Sequence, residues 1–91
     1  MSYSIRYDIR VRDDLRAIAP EICKRILAVI KNKLVEHPSL FGKPLRHSLF
    51  GLRVLRVGNY RVVFFIRELV VTVLLIGDRQ HVYREAQKRV I

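Results

Sequence analysis

The side chains with most chemical potential in this chain are arginines gathered in its second half, namely Arg53, Arg56, Arg61, Arg67 and Arg79, with Tyr60, His81 and Tyr83 close by in sequence. A planar guanidinium pairs bidentately with phosphate oxygens, and aromatic rings stack on unpaired bases. This is a vocabulary for binding RNA, although any one of these arginines, taken singly, also reads as a solvated strand position. His81 carries the one imidazole in that stretch and is a candidate general acid or base, with a plain surface histidine as the alternative.

Other chemistries lack their residues. Cys23 is alone, and His37, His47 and His81 are too scattered to offer a ligand pair at standard spacing, so neither a metal nor a cofactor is expected. There is no phosphate-cradling glycine loop, and the sequence places no Ser, His and Asp together. Eighteen Lys and Arg against eight Asp and Glu give a formal charge of +10, spread from Arg6 to Arg89. The fold itself is therefore basic, and it suits a polyanion such as nucleic acid, an anionic membrane or an acidic protein.

The elements that must position these residues follow from periodicity. Tyr3, Ile5, Tyr7, Ile9 and Val11 alternate with polar residues and predict a half-buried first strand over Tyr3 to Val11. Asp13 and Asp14 supply capping chemistry for a short helical turn, Leu15 to Ile18. Pro20 suits the start of a second helix, whose Ile22, Ile26, Val29, Ile30 and Leu34 form an apolar stripe. That helix closes at His37-Pro38, and Cys23 reads as a small buried side chain within it. A loop over Pro38 to about Ser48 then leads into sheet: Leu52 to Val57, a Gly58-Asn59 turn, Tyr60 to Arg67, a tight connection at Arg67-Glu68, and Leu69 to Ile76. The last run is apolar on both faces, which predicts a central strand. Adjacent apolar residues at Val54-Leu55 suggest a bulge. Val82, Ala86 and Val90, four apart, predict a short C-terminal helix.

With 91 residues, 51% of them hydrophobic, one domain is expected, with a single sheet covered on one face by helices. No apolar run approaches membrane-spanning length and the start alternates, so a soluble, unprocessed, cytoplasmic protein is the expectation.

The stretches LRVLRVGNYRVVFFI and VVTVLLIGDRQHVY resemble the paired signature of the RelE/ParE toxin superfamily, a "RVGxYRVxY" hairpin followed by a strand ending "IGxRxxVY". The resemblance covers nearly the whole chain, with residues 52 to 83 its specific part. It implies an α+β fold: an N-terminal strand, a helical hairpin and a three-stranded antiparallel meander in one twisted sheet, then a short C-terminal helix. For the RelE-like branch it further implies a toxin of a type II toxin-antitoxin system. Such a toxin enters the ribosomal A site and cuts mRNA without metal or cofactor, using the RNA's own 2′-hydroxyl and leaving a 2′,3′-cyclic phosphate.

Carried over by motif, Arg61 and Arg79 become the phosphate-binding and transition-state groups. Tyr83 becomes a stacking, orienting or proton-transferring group, with a buried aromatic staple as its alternative. Arg56 fits one of two basic residues expected on the preceding strand. Arg53 is the candidate for the other, but its three-residue offset shares a face with Arg56 only across a bulge. His47, Glu68, Asp13 and Asp14 read as loop, turn and capping residues, and Tyr60 as a core or sheet-surface residue. The partners implied are the ribosome with its mRNA and a cognate antitoxin, a short acidic or amphipathic chain that covers the site or displaces the C-terminal helix. A ParE-like gyrase poison, not an enzyme, and an inactive RNA binder are the competing functions.

Overall fold

A computed structural model describes residues 2–90. The chain begins with β1 (Ser4–Tyr7), α1 (Val11–Arg16), α2 (Pro20–Leu34) and α3 (Pro38–Phe41). A two-residue strand β2 (Lys43–Pro44), a 3-10 turn His47–Leu49, the strands β3 (Arg53–Val57), β4 (Tyr60–Arg67) and β5 (Val70–Asp78), and α4 (Val82–Arg89) complete it. The five strands lie in the order β1-β5-β4-β3-β2, with β1 parallel to β5 and every other pair antiparallel. The expected α+β class and its α-hairpin and meander are present.

The first strand is shorter than its alternation predicts, and a local cause is visible. Asp8 accepts a hydrogen bond from the backbone N–H of Arg10 at 2.9 Å, and its carbonyl accepts the N–H of Val11, so the chain turns directly after Tyr7. Ile9 falls in that turn and is exposed, while Val11 is buried inside α1. The aspartates do not cap this helix. Arg10 occupies its N-cap without a side-chain hydrogen bond, Asp13 pairs with exposed Arg16, and Asp14 is committed elsewhere. The segment expected as a loop from Pro38 holds a turn of helix and an edge strand, both too short to leave a periodic signature.

Burial of the sheet differs most from expectation, because helices cover both faces. On one face α1 and α2 pack Val11, Ile26, Ile30 and Leu34 against Leu55, Val57, Val62, Phe64, Val71, Val73 and Ile76. On the other, α4 packs Val82 and Ala86 against Val54, Val63, Leu74 and Leu75, joined by Leu49 and Leu52. The adjacent Val54 and Leu55 are therefore one residue for each core, and β3 pairs with β4 in unbroken register with no bulge. A register shift occurs in β5 instead, where Val63 pairs with Leu75 but Phe64 pairs with Val73, leaving Leu74 extra. It turns two successive leucines toward α4.

Beyond Tyr7, β1 no longer covers the edge of β5. The exposed groups are met by side chains: Oδ2 of Asp14 accepts the N–H of Ile76 at 3.1 Å, and Nη1 of Arg89 donates to the carbonyl of Leu74 at 2.9 Å. Arg89 also donates to both carboxylate oxygens of Asp14, tying α1, β5 and α4 together.

Candidate RNA-binding and catalytic site

The site is set by the β3–β4 register. Val57 opposes Tyr60 across the two-residue turn Gly58-Asn59, and Gly58 has φ of 60°, the left-handed conformation such a turn requires. Arg56 is consequently directly opposite Arg61, and Arg61 opposite Gly77 on β5. Alternation along β3 and β4 puts Arg56 and Arg61 on the face that carries α4. Gly77 continues this row without a side chain, and a Cβ there would lie 3.5 Å from Val82 Cγ2, so the start of α4 approaches the row closely.

Arg61 is not a free cation at the surface. It is 7% exposed, and its Nη1 donates to the carbonyls of Gly58 and Tyr60, each at 2.9 Å. Nη1 thus clamps the turn. Its remaining nitrogens are not sealed off, because among the described residues the only buried side-chain nitrogen or oxygen without a partner is Nε of Arg89. The backbone N–H of Arg79 donates to the carbonyl of Asn59, the residue between those two acceptors, at 2.9 Å. One turn therefore fixes both motif arginines, with the Arg79 side chain exposed.

The loop that follows β5 is organised by Asp78. Its Oδ1 accepts the backbone N–H groups of Gln80 and His81 at 2.9 and 3.1 Å, and its two oxygens lie 2.8 and 3.0 Å from Nδ1 of His81. The imidazole hydrogen bond, with the two backbone donors, holds the Asp78 carboxyl below the usual carboxylate range. Asn59, Asp78, Arg79, Gln80 and His81 line a shallow cleft beside the turn. Tyr83 follows on the first turn of α4, partly exposed.

Arg56, Arg61, Arg79, His81 and Tyr83 are thus brought to one end of the sheet. Arg53 is not. It lies on the helical-hairpin face with Leu55 and Val57, and its Nη1 donates to the carbonyls of Gly42 at 2.6 Å and Ser39 at 3.3 Å. Without a bulge in β3 it cannot join Arg56, and its Nη1 is held by the carbonyls at the end of α3. Arg67 stands at the far end of β4, opposite Val70. Sequence reasoning passed over Asp78, although its spacing of three from His81 across the start of a helix was the available signal. Among the described residues no three His, Cys, Asp or Glu side chains are grouped so as to hold a metal ion.

A larger concavity lies on the side of the helical hairpin, lined by Tyr7, Ile9, Leu15, Cys23 and Leu27 among others. It is mainly apolar and holds none of the motif residues, so size does not locate the chemistry here.

Comparison with known proteins agrees with this frame. The family model described as ParE toxin of type II toxin-antitoxin system, parDE, matches residues 5–83. Toxin RelG of Mycobacterium tuberculosis is 31% identical over 86 residues, covering 92% of this chain and 99% of that protein. The crystal structure of the toxin-antitoxin complex RelBE2 from M. tuberculosis contains a chain that superposes with a TM-score of 0.81 at 30% identity, covering 87% of this chain and all of that one. A mutant of E. coli toxin RelE in the free state shares the fold along its whole length, with a TM-score of 0.77 at 22% identity. The chain belongs to the RelE/ParE superfamily and is a toxin of the type II toxin-antitoxin class.

Proposed function

We propose that the protein is a ribosome-dependent endoribonuclease that cuts mRNA in the A site without a metal ion. The observation that carries this reading is the convergence of Arg56, Arg61 and Arg79 with a carboxylate-bound imidazole around one β-turn. In the reaction the 2′-oxygen loses its proton and attacks phosphorus, the bond from phosphorus to the 5′ oxygen breaks, and the leaving oxygen takes a proton. The crowded phosphorane between these states carries extra negative charge, which preorganised guanidinium donors stabilise. Arg61 and Arg79 are assigned that role, Arg56 a phosphate contact, His81 proton transfer, and Tyr83 stacking on or orienting the substrate.

A cognate antitoxin is the expected second partner. Solved relatives include toxin-antitoxin complexes, and a chain of net charge +10 is complementary to an acidic peptide that folds on its surface. Co-expression with a small neighbouring reading frame is expected to abolish toxicity.

The decisive experiment incubates the purified protein with ribosomes stalled on a defined mRNA with an empty A site and maps 3′ ends by primer extension. Cleavage by the wild type, lost on Arg61→Ala and on Arg79→Ala, supports the nuclease. Intact mRNA throughout overturns it. The match to a family model named for ParE favours gyrase poisoning as the second reading, and a gyrase cleavage assay tests it.

A further inference from the structure

We propose that Asp78 is the positioning residue for His81, fixing the imidazole so that Nε2 serves as the general base toward the 2′-hydroxyl. The inference rests on the nuclease reading above. Both oxygens of Asp78 lie within hydrogen-bond distance of Nδ1, and an ionised carboxylate only accepts, so the neutral ring carries its proton on Nδ1. Nε2, on the far side of the ring, is then the lone-pair nitrogen. The backbone bonds from Gln80 and His81 to Oδ1 anchor the carboxylate to the same loop, so ring and partner move as one unit. The imidazole remains 68% exposed and borders the cleft shared with Asn59 and Arg79.

The step balances with water as the one further reagent, its lost proton being returned by the imidazolium. Nε2 takes the 2′-hydroxyl proton as the bond from that oxygen to phosphorus forms. The bond from phosphorus to the 5′ oxygen breaks, and water protonates the leaving oxygen. The ring becomes an imidazolium whose charge the Asp78 carboxylate stabilises.

Asp78→Ser separates the two roles of the carboxylate, because a serine hydroxyl still accepts backbone N–H groups at a helix start but is too short to hold the ring. In the isolated protein, long-range proton–nitrogen spectra at a pH where the ring is neutral are expected to show His81 protonated on Nδ1. In Asp78→Ser the population shifts toward Nε2. In the ribosome assay, loss of a general base costs about 100-fold or more, so His81→Ala is expected to fall by that factor. Asp78→Ser is expected to lose roughly tenfold in kcat with KM unchanged, and to cause no further loss in the His81→Ala background.

Wild-type kcat in Asp78→Ser, or losses that multiply in the double variant, overturns the proposal while leaving the nuclease standing. Absence of cleavage by the wild type overturns the nuclease reading and the base role with it. Nε2 protonation in the wild-type spectra overturns the positioning itself, whatever the activity.

Discussion

Asp14 and Arg89, one on the first helix and one on the last, form a buried ion pair, with Nη2 of Arg89 2.6 Å from Oδ1 and Nη1 2.9 Å from Oδ2 of the carboxylate. Their side chains are 10% and 8% exposed, and the same atoms satisfy the free backbone of β5 at Leu74 and Ile76. Removing one partner strands the other in a site largely closed to water. Arg89→Met is therefore expected to cost about 3 to 5 kcal/mol, measured by urea denaturation, with early loss of α4. Asp14→Leu combined with Arg89→Met is expected to recover part of that loss, since no charge is then left unpaired.

Arg53 and Arg56 separate structure from binding within one strand. Arg53→Ala frees the carbonyls of Ser39 and Gly42, and about 1 to 3 kcal/mol of stability should go with them. The side chain of Arg56 is exposed and makes no hydrogen bond to the described residues. Arg56→Ala is expected to leave the melting temperature unchanged while lowering the slope of log K against log[salt] for single-stranded RNA by about 0.7.

That contrast shows why the sequence was informative about one level and silent on another. Strand and helix periods are local, so β4 was legible as Tyr60 to Arg67 and α2 as starting at Pro20. The motif arginines Arg61 and Arg79 fell together because a two-residue turn leaves little freedom in register. What stayed hidden depends on partners distant in sequence. The adjacency of Val54 and Leu55 looks the same whether caused by a bulge or by burial on both faces, and only the position of α4 decides. The real bulge at Leu74 was concealed inside the run VVTVLLI, apolar but for Thr72. Asp14 looked like a helix cap because its partners are Ile76 and Arg89, far along the chain.

Gly42 illustrates a packing constraint that composition cannot express. A Cβ there would overlap Cζ of Phe64, lie 2.8 Å from its Cε1 and sit 3.0 Å from the carbonyl oxygen of Pro38. Phe64 is fully buried and has no room to retreat. Gly42→Ala is expected to destabilise by about 1 to 3 kcal/mol in equilibrium denaturation.

Asp8 gives the fold a predictable response to acid. The hydrogen bond from the Arg10 side chain, aided by the backbone N–H of Arg10, lowers its pKa from the ordinary 3.8 to about 2. A carboxylate with a depressed folded pKa stabilises above its unfolded value and loses that contribution as pH falls through the folded one. Asp8→Asn should therefore melt below the wild type at pH 6. The gap should narrow from about pH 4 downward and be nearly closed at about pH 2.

Arg61 combines the two kinds of role, and its substitutions should separate them. Because Nη1 holds the carbonyls of Gly58 and Tyr60, Arg61→Ala is expected to cost about 1 to 3 kcal/mol and to loosen the turn that also anchors the backbone of Arg79. If the guanidinium also stabilises the phosphorane, cleavage falls on the order of 100- to 1,000-fold. Arg61→Lys retains the charge but not the planar fork. It can reach a turn carbonyl or a phosphate, but it cannot bond two carbonyls and still present donors in a fixed plane. Its stability should therefore lie between those of Arg61→Ala and the wild type, while its cleavage stays close to that of Arg61→Ala. Paired melting curves and single-turnover cleavage on stalled ribosomes measure both quantities. A lysine variant that cleaves like the wild type would reduce Arg61 to a carrier of charge.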